Sequence, residues 1–249
     1  MAQPRYRLSR SIIYGYFPMG VKWLLIVNTV IFVIWYLGGQ TVQSQMQLLA
    51  LTPRLVVFSF PWFVWQLFTY MFLHGGFGHL IFNMLTLWMF GTPLEQTWGT
   101  RRFLRYYFLC GVGAGICDTL VNVALGHRTS TIGASGAIYG LLLAFGVLFP
   151  DTKVLMSFLF PIKAKYLVMI YGAVALLSAL GSGNSGVSNI AHLGGMLFGY
   201  VYLKVSLPGV RHLHLPDASG WYRQWKMQRA KKKFQVYMKK HGGPGPWVN

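Results

Sequence analysis

Six stretches of the chain are apolar almost without a break: about 21–37, 78–94, 103–125, 132–149, 166–180 and 187–207. Their apolar residues run continuously instead of alternating, which predicts helices and not the strands of a barrel. A helix needs about 20 apolar residues to cross the hydrocarbon core, so these are candidate spans, the fifth a short one. The connection 38–77 is long but not polar. It contains Leu55-Val56-Val57-Phe58 and Pro61-Trp62-Phe63-Val64-Trp65, and aromatic-rich segments of this kind settle at the headgroup level. The pattern predicts an all-α membrane protein, a bundle of six transmembrane helices with a long membrane-associated first loop. Its parts are a cytoplasmic N-terminal segment (1–20), a membrane domain (21–207) and a basic cytoplasmic tail (208–249).

Composition agrees: only 10% of residues are charged, against about 25% in soluble domains. The net charge is +18, with 22 Lys and Arg against 4 Asp and Glu. In a soluble chain that excess would point to nucleic acid, but its placement points elsewhere. Cations are frequent before the first stretch (Arg5, Arg7, Arg10, Lys22), after the second (Arg101, Arg102, Arg105) and after the fourth (Lys153, Lys163, Lys165). The last stretch and the tail hold ten more. The first and third connections have one each, Arg54 and Arg128, and the fifth, 181–186, has none. This alternation is the positive-inside pattern of six spans in a bacterial-type inner membrane with both termini cytoplasmic. The tail carries Met227, Ala230, Phe234 and Tyr237 at helical spacing among Lys231, Lys232, Lys233 and Lys239. It reads as an amphipathic helix on the anionic inner leaflet, with no nucleic-acid partner expected. Cys110 and Cys117 share one apolar stretch and are expected to be buried and reduced, and no cleavable signal peptide is evident.

Polar residues at the outer ends of three stretches carry the candidate chemistry. Ser135, in Gly133-Ala134-Ser135-Gly136, heads the fourth, His192 heads the sixth, and His79 and Asn83 begin the second. At about 1.5 Å per residue, Ser135 lies roughly 22 Å from Pro150, His192 roughly 18 Å from Lys204 and His79 roughly 24 Å from Glu95. The three share a depth below the outer surface, which implies a water-accessible cavity. Gly136 and Gly140, and Gly195 and Gly199, are spaced four apart, which lets two helix backbones approach closely. Tyr139 lies one turn beneath Ser135. A serine hydroxyl becomes a nucleophile when a base takes its proton, and His192 is that candidate base and later acid. His79, Asn83 and the Ser135 backbone N–H are candidate oxyanion donors. Asp118, about 20 Å up the third stretch from Arg105, is an intramembrane carboxylate. It could orient His192 as a third member, line the cavity, or bond between helices.

The segments His79-Leu80-Ile81-Phe82-Asn83, Gly133-Ala134-Ser135-Gly136 with Tyr139, and Ala191-His192 with Gly195 and Gly199 together resemble the rhomboid family of intramembrane serine proteases. The resemblance covers about 65–199. It implies the six-helix rhomboid fold and peptide-bond hydrolysis without cofactor or metal, with single-pass membrane proteins as substrates. It also implies a Ser135–His192 dyad, oxyanion help from His79 and Asn83, and Tyr139 packed on the His192 ring. One departure is Trp65-Gln66, where the family often has Trp-Arg. Gln66 cannot supply guanidinium contacts, which weakens the expected anchoring of the first loop without touching the dyad. His74 resembles a position some members share and is expected to line the cavity. Two other classes compete: an inactive relative that binds or escorts membrane proteins, and a small-solute transporter or channel. The first would be marked by loss of the serine or histidine, and both are present. The second expects paired charges or broken inverted-repeat helices, which this sequence lacks.

Overall fold

The structure is a computed structural model that describes residues 17–59, 63–156, 160–181 and 188–206, together with Met227, Arg229 and Ala230. The chain divides into two units, 1–210 and 211–249. Of the second, Met227, Arg229 and Ala230 are helical and exposed. The rest of the tail stripe, the N-terminal arginines, Pro61, Trp62 and the glycine-rich 182–187 lie outside the described residues.

In the first unit each apolar stretch is helical: α1 (Met19–Leu37), α5 (Phe77–Thr86) with α6 (Thr92–Trp98), α7 (Thr100–Ala124), α8 (Ser135–Leu148), α9 (Ala164–Leu180) and α10 (Asn189–Ser206). By length and composition α1 and α7 are long and apolar enough to cross a membrane, while α8 and α9 are apolar but shorter. The centre is α7, α8 and α10 packed on one another, with α9 leaning on α8 and α10. Large side chains that are fully buried, among them Phe103, Tyr106, Tyr107 and Leu141, fill the middle of this cluster.

The stretch 78–94 is not one regular helix. A π-helical turn, Leu87–Gly91, joins α5 to α6. Pro93 has no N–H to give the Met89 carbonyl, so the ladder cannot keep its four-residue step there. Glu95, buried on α6, accepts the backbone N–H of Gly20 at 2.8 Å and of Val21 at 2.7 Å, and the Thr100 hydroxyl at 2.6 Å. A carboxylate on the first free amides of α1 fixes that helix to the turn between α6 and α7.

Two expectations need correction. The fold is mostly helical but not all-α, because β1 (Lys153–Met156) pairs antiparallel with β2 (Phe160–Lys163) in the fourth connection. Val154 and Ile162 face each other in register and pack on the core, so the segment has the alternating pattern of a half-buried hairpin. Its base is closed by Ala164 N–H to Thr152 O at 2.8 Å and by Asp151, which bonds Lys163 and Lys165 at 3.1 and 3.0 Å. The two ammonium groups, Lys165 first, hold the Asp151 carboxyl below its usual range.

The second correction concerns the first loop, which is well anchored. It folds as α2 (Gly39–Met46), α3 (Pro53–Phe58) and α4 (Gln66–Thr69) with short 3-10 turns. Gln66 is fully buried, accepts the Thr52 N–H at 2.9 Å and donates to the Leu48 carbonyl at 3.0 Å. A neutral amide satisfies both an N–H and a C=O, which a guanidinium, having donors alone, cannot do. Leu51 and Thr131 form a two-bond bridge that ties the loop to the segment before α8. Val57, Phe58, Val64, Trp65 and Phe68 remain exposed.

Candidate active site

Ser135 is the first residue of α8, where the backbone amides have no partner within the helix. The turn that delivers it depends on Gly133, whose φ of +116° suits glycine. A Cβ there would meet His79 Nε2 at 2.6 Å, and the Gly133 N–H is held by the Tyr70 carbonyl at 2.9 Å.

His192 lies one turn into α10. Its Nε2 is 2.8 Å from Ser135 Oγ. Its ring stacks on Tyr139, with centroids 4.1 Å apart and planes 6° from parallel. The Nδ1 atom is buried without a hydrogen-bond partner among the described residues. This close approach requires the small residues. A Cβ on Gly195 would run into the Gly136 carbonyl, one on Gly136 would meet Ala114 Cβ at 2.6 Å, and one on Gly140 would meet Cys110 Cβ at 2.6 Å. Gly199 faces α7 instead, against the Tyr106 hydroxyl, which itself donates to the Gly140 carbonyl at 2.7 Å. Three helix backbones are thus in near contact beneath Ser135. Of the two cysteines, Cys110 is buried, Cys117 only half-buried, and both are free thiols.

His79 sits at the start of α5. Its Nδ1 accepts the Gly75 N–H at 3.4 Å, so in the neutral ring the proton is on Nε2, the atom that lies against Gly133. That places an N–H donor two residues before Ser135. Asn83 is buried one turn further along and donates its amide to the His79 carbonyl at 2.8 Å. Among the described residues it bonds neither Ser135 nor His192. His74 is buried, packs edge-on against His79 with centroids 5.0 Å apart, and lines the same region.

Asp118 does not reach His192. Its Oδ1 accepts Asn122 Nδ2 at 2.8 Å and the Ser188 hydroxyl, and its Oδ2 accepts the Thr131 hydroxyl at 2.9 Å. Of the roles open to it, bonding away from its own helix is the one formed, to the segments that lead into α8 and α10. Ser188 and Thr131 escaped the sequence reading. Ser188 had a usable signal, a serine just ahead of an apolar run, and it caps α10 by accepting the Ala191 N–H at 3.1 Å. Thr131 had none, because its partner, Asp118, is 13 residues away on α7.

Comparison with known proteins places the chain in a family. Rhomboid protein 1, mitochondrial, of Saccharomyces cerevisiae is 34% identical over 158 residues, 61% of this chain and 45% of that protein. RHOMBOID-like protein 1 of Arabidopsis thaliana is 36% identical over 146 residues, 56% of this chain and 35% of its own. Rhomboid protease GluP of Bacillus subtilis is 35% identical over 136 residues, 55% of this chain and 25% of its own. The matched segment spans less than half the length of each of these relatives. The family model described as Rhomboid domain matches residues 61–208, more than half of the 249-residue chain, and the chain therefore belongs to the rhomboid family of membrane proteins.

Proposed function

We propose that this protein is an intramembrane serine endopeptidase that cleaves peptide bonds in or near the transmembrane segments of other membrane proteins. The observation that carries the reading is the 2.8 Å approach of His192 Nε2 to Ser135 Oγ. Those side chains come from two helices and meet at the head of a glycine-packed pair. His192 takes the Ser135 proton as Ser135 Oγ attacks the scissile carbonyl, then returns it to the leaving amine. A water, activated by the same ring, hydrolyses the acyl-enzyme. Among the described residues the imidazolium formed in between has no carboxylate partner. The Tyr139 face stacked on it supplies the orientation and a cation–π attraction. His79 Nε2–H and the Ser135 backbone N–H are the oxyanion donors, with the second amide hydrogen of Asn83 as a weaker one. Support from relatives is the presence of a named protease among them.

Labelling of the purified full chain with a fluorescent fluorophosphonate tests this. We expect stoichiometric modification of Ser135 and none of Ser135→Ala. An unlabelled wild-type protein would favour the inactive, client-binding reading.

The architecture we propose is six spans, α1, α5–α6, α7, α8, α9 and α10, with the first loop associated with the membrane. The domain limits are 1–20, 21–207 and 208–249. Both termini are cytoplasmic in a bacterial-type inner membrane, and the basic tail lies on its anionic leaflet. The support is the alternation of cations and the exposed apolar residues of α1 and α9. Reporter fusions at Ser9 and His241 should both report the cytoplasm; either one on the outer side is incompatible with this topology.

A further inference from the structure

Asp118 is fully buried in α7 and forms three side-chain hydrogen bonds, two of which leave its own helix. One goes to Thr131, four residues before Ser135. Thr131 is also held by its backbone to Leu51 of the first loop, at 2.8 and 3.0 Å. The other goes to Ser188, whose oxygen in turn accepts the Ala191 N–H at 3.1 Å, one residue before His192. A single carboxylate thus grips the segments that lead into the helices of both Ser135 and His192. Asn122, one turn along α7, donates to Asp118 Oδ1 at 2.8 Å and is linked to His127 Nδ1 at 3.2 Å. Below this level the glycine contacts fix how close α8 and α10 come. They do not fix how far each helix slides along its axis or turns about it, and those two freedoms decide whether His192 Nε2 points at Ser135 Oγ.

We infer that Asp118 is a positioning residue, which sets the register of the Ser135 and His192 helices against α7 through Thr131 and Ser188. The inference rests on the protease reading. Removing the carboxylate leaves Ser188 and Thr131 without their shared acceptor and frees the two helix starts to shift independently. A misplacement of about 1 Å between reacting groups costs on the order of 10²-fold in rate.

The test is the rate constant of fluorophosphonate labelling per active site on the full chain, measured apart from its final amplitude. Asp118→Ala and Ser188→Ala should each label about 10- to 100-fold more slowly than wild type while reaching full amplitude. Asp118→Asn keeps an acceptor oxygen and adds an N–H that a hydroxyl can accept, so it should recover much of the rate. The Asp118→Ala, Ser188→Ala double variant should be close to the slower single one, since the Asp118–Ser188 link is already lost in each. Rate constants of both alanine variants within twofold of wild type overturn the inference. So does a fall in amplitude at unchanged rate constant, which marks a role in folding alone. If Asp118→Ala does not fold, Ser188→Ala decides by the same criteria. A wild-type chain that is not labelled defeats the protease reading itself, a result distinct from either of these.

Discussion

Purified Ser135→Ala should keep the wild-type fold and cleave no transmembrane substrate. Ser135 is only half-buried at the first position of α8, and alanine fits among the same small neighbours, so the loss is of the nucleophile and not of packing. His192→Ala should be equally inactive. Among the described residues no other hydrogen-bond partner of Ser135 Oγ could take its proton, and the Tyr139 ring would be left without the face it stacks on. Acidification should lower activity for the same reason, because an imidazolium has no lone pair at Nε2 to accept the proton. His79→Ala and Asn83→Ala should be slower but measurable. A lost oxyanion donor costs about 10²- to 10³-fold where it acts alone and less where others compensate. Asn83 should be the milder of the two, since its amide is already engaged by the His79 carbonyl. Cleavage by Ser135→Ala free of contaminating protease, quantified on a fluorescent transmembrane substrate, would refute the mechanism.

The second large effect is expected at Gly195. The obstacle to a side chain there is the Gly136 carbonyl, a backbone atom one residue past Ser135. Backbone cannot rotate away as a side-chain tip can, so Gly195→Ala must push α10 off α8 and lengthen the Ser135–His192 hydrogen bond. Overpacking of this kind costs about 1–3 kcal/mol, and the misalignment should cost on the order of 10²-fold in cleavage. Gly172→Ala in α9 is the matched control. Its Cβ would make an ordinary contact with Met196 Cε at 3.4 Å, and activity should stay close to wild type. A Gly195→Ala protein as active as Gly172→Ala would show that the two helices have slack where the structure shows contact.

The corrections share a cause. The hairpin at 153–163 was hidden because Lys-Val-Leu-Met and Phe-Pro-Ile-Lys are short and apolar, and a four-residue strand has little periodicity to display. The π-helical turn at Leu87–Gly91 had a local signal in Pro93, but the size and place of the distortion depend on Gly91 fitting between Val21 and Phe103. Gln66 was read by what its side chain lacks relative to arginine. What it does depends on Leu48 and Thr52, up to 18 residues away, presenting one acceptor and one donor.

The sequence by itself determined where the apolar helices lie, which of their ends are polar and how far along each helix those residues sit, and which faces are small enough for close contact. All of these follow from local periodicity and from the rise of a helix. Only the tertiary structure decided what each buried polar group would bond, because that depends on the rotation and slide of each helix against its neighbours. Asp118 shows the difference. Its depth in α7 is fixed by counting residues, but a turn of that helix about its own axis would exchange Ser188 and Thr131 for other partners. Packing of α7 against α8 and α10, and no property of Asp118 itself, sends the carboxylate to the two helix starts instead of to the His192 ring.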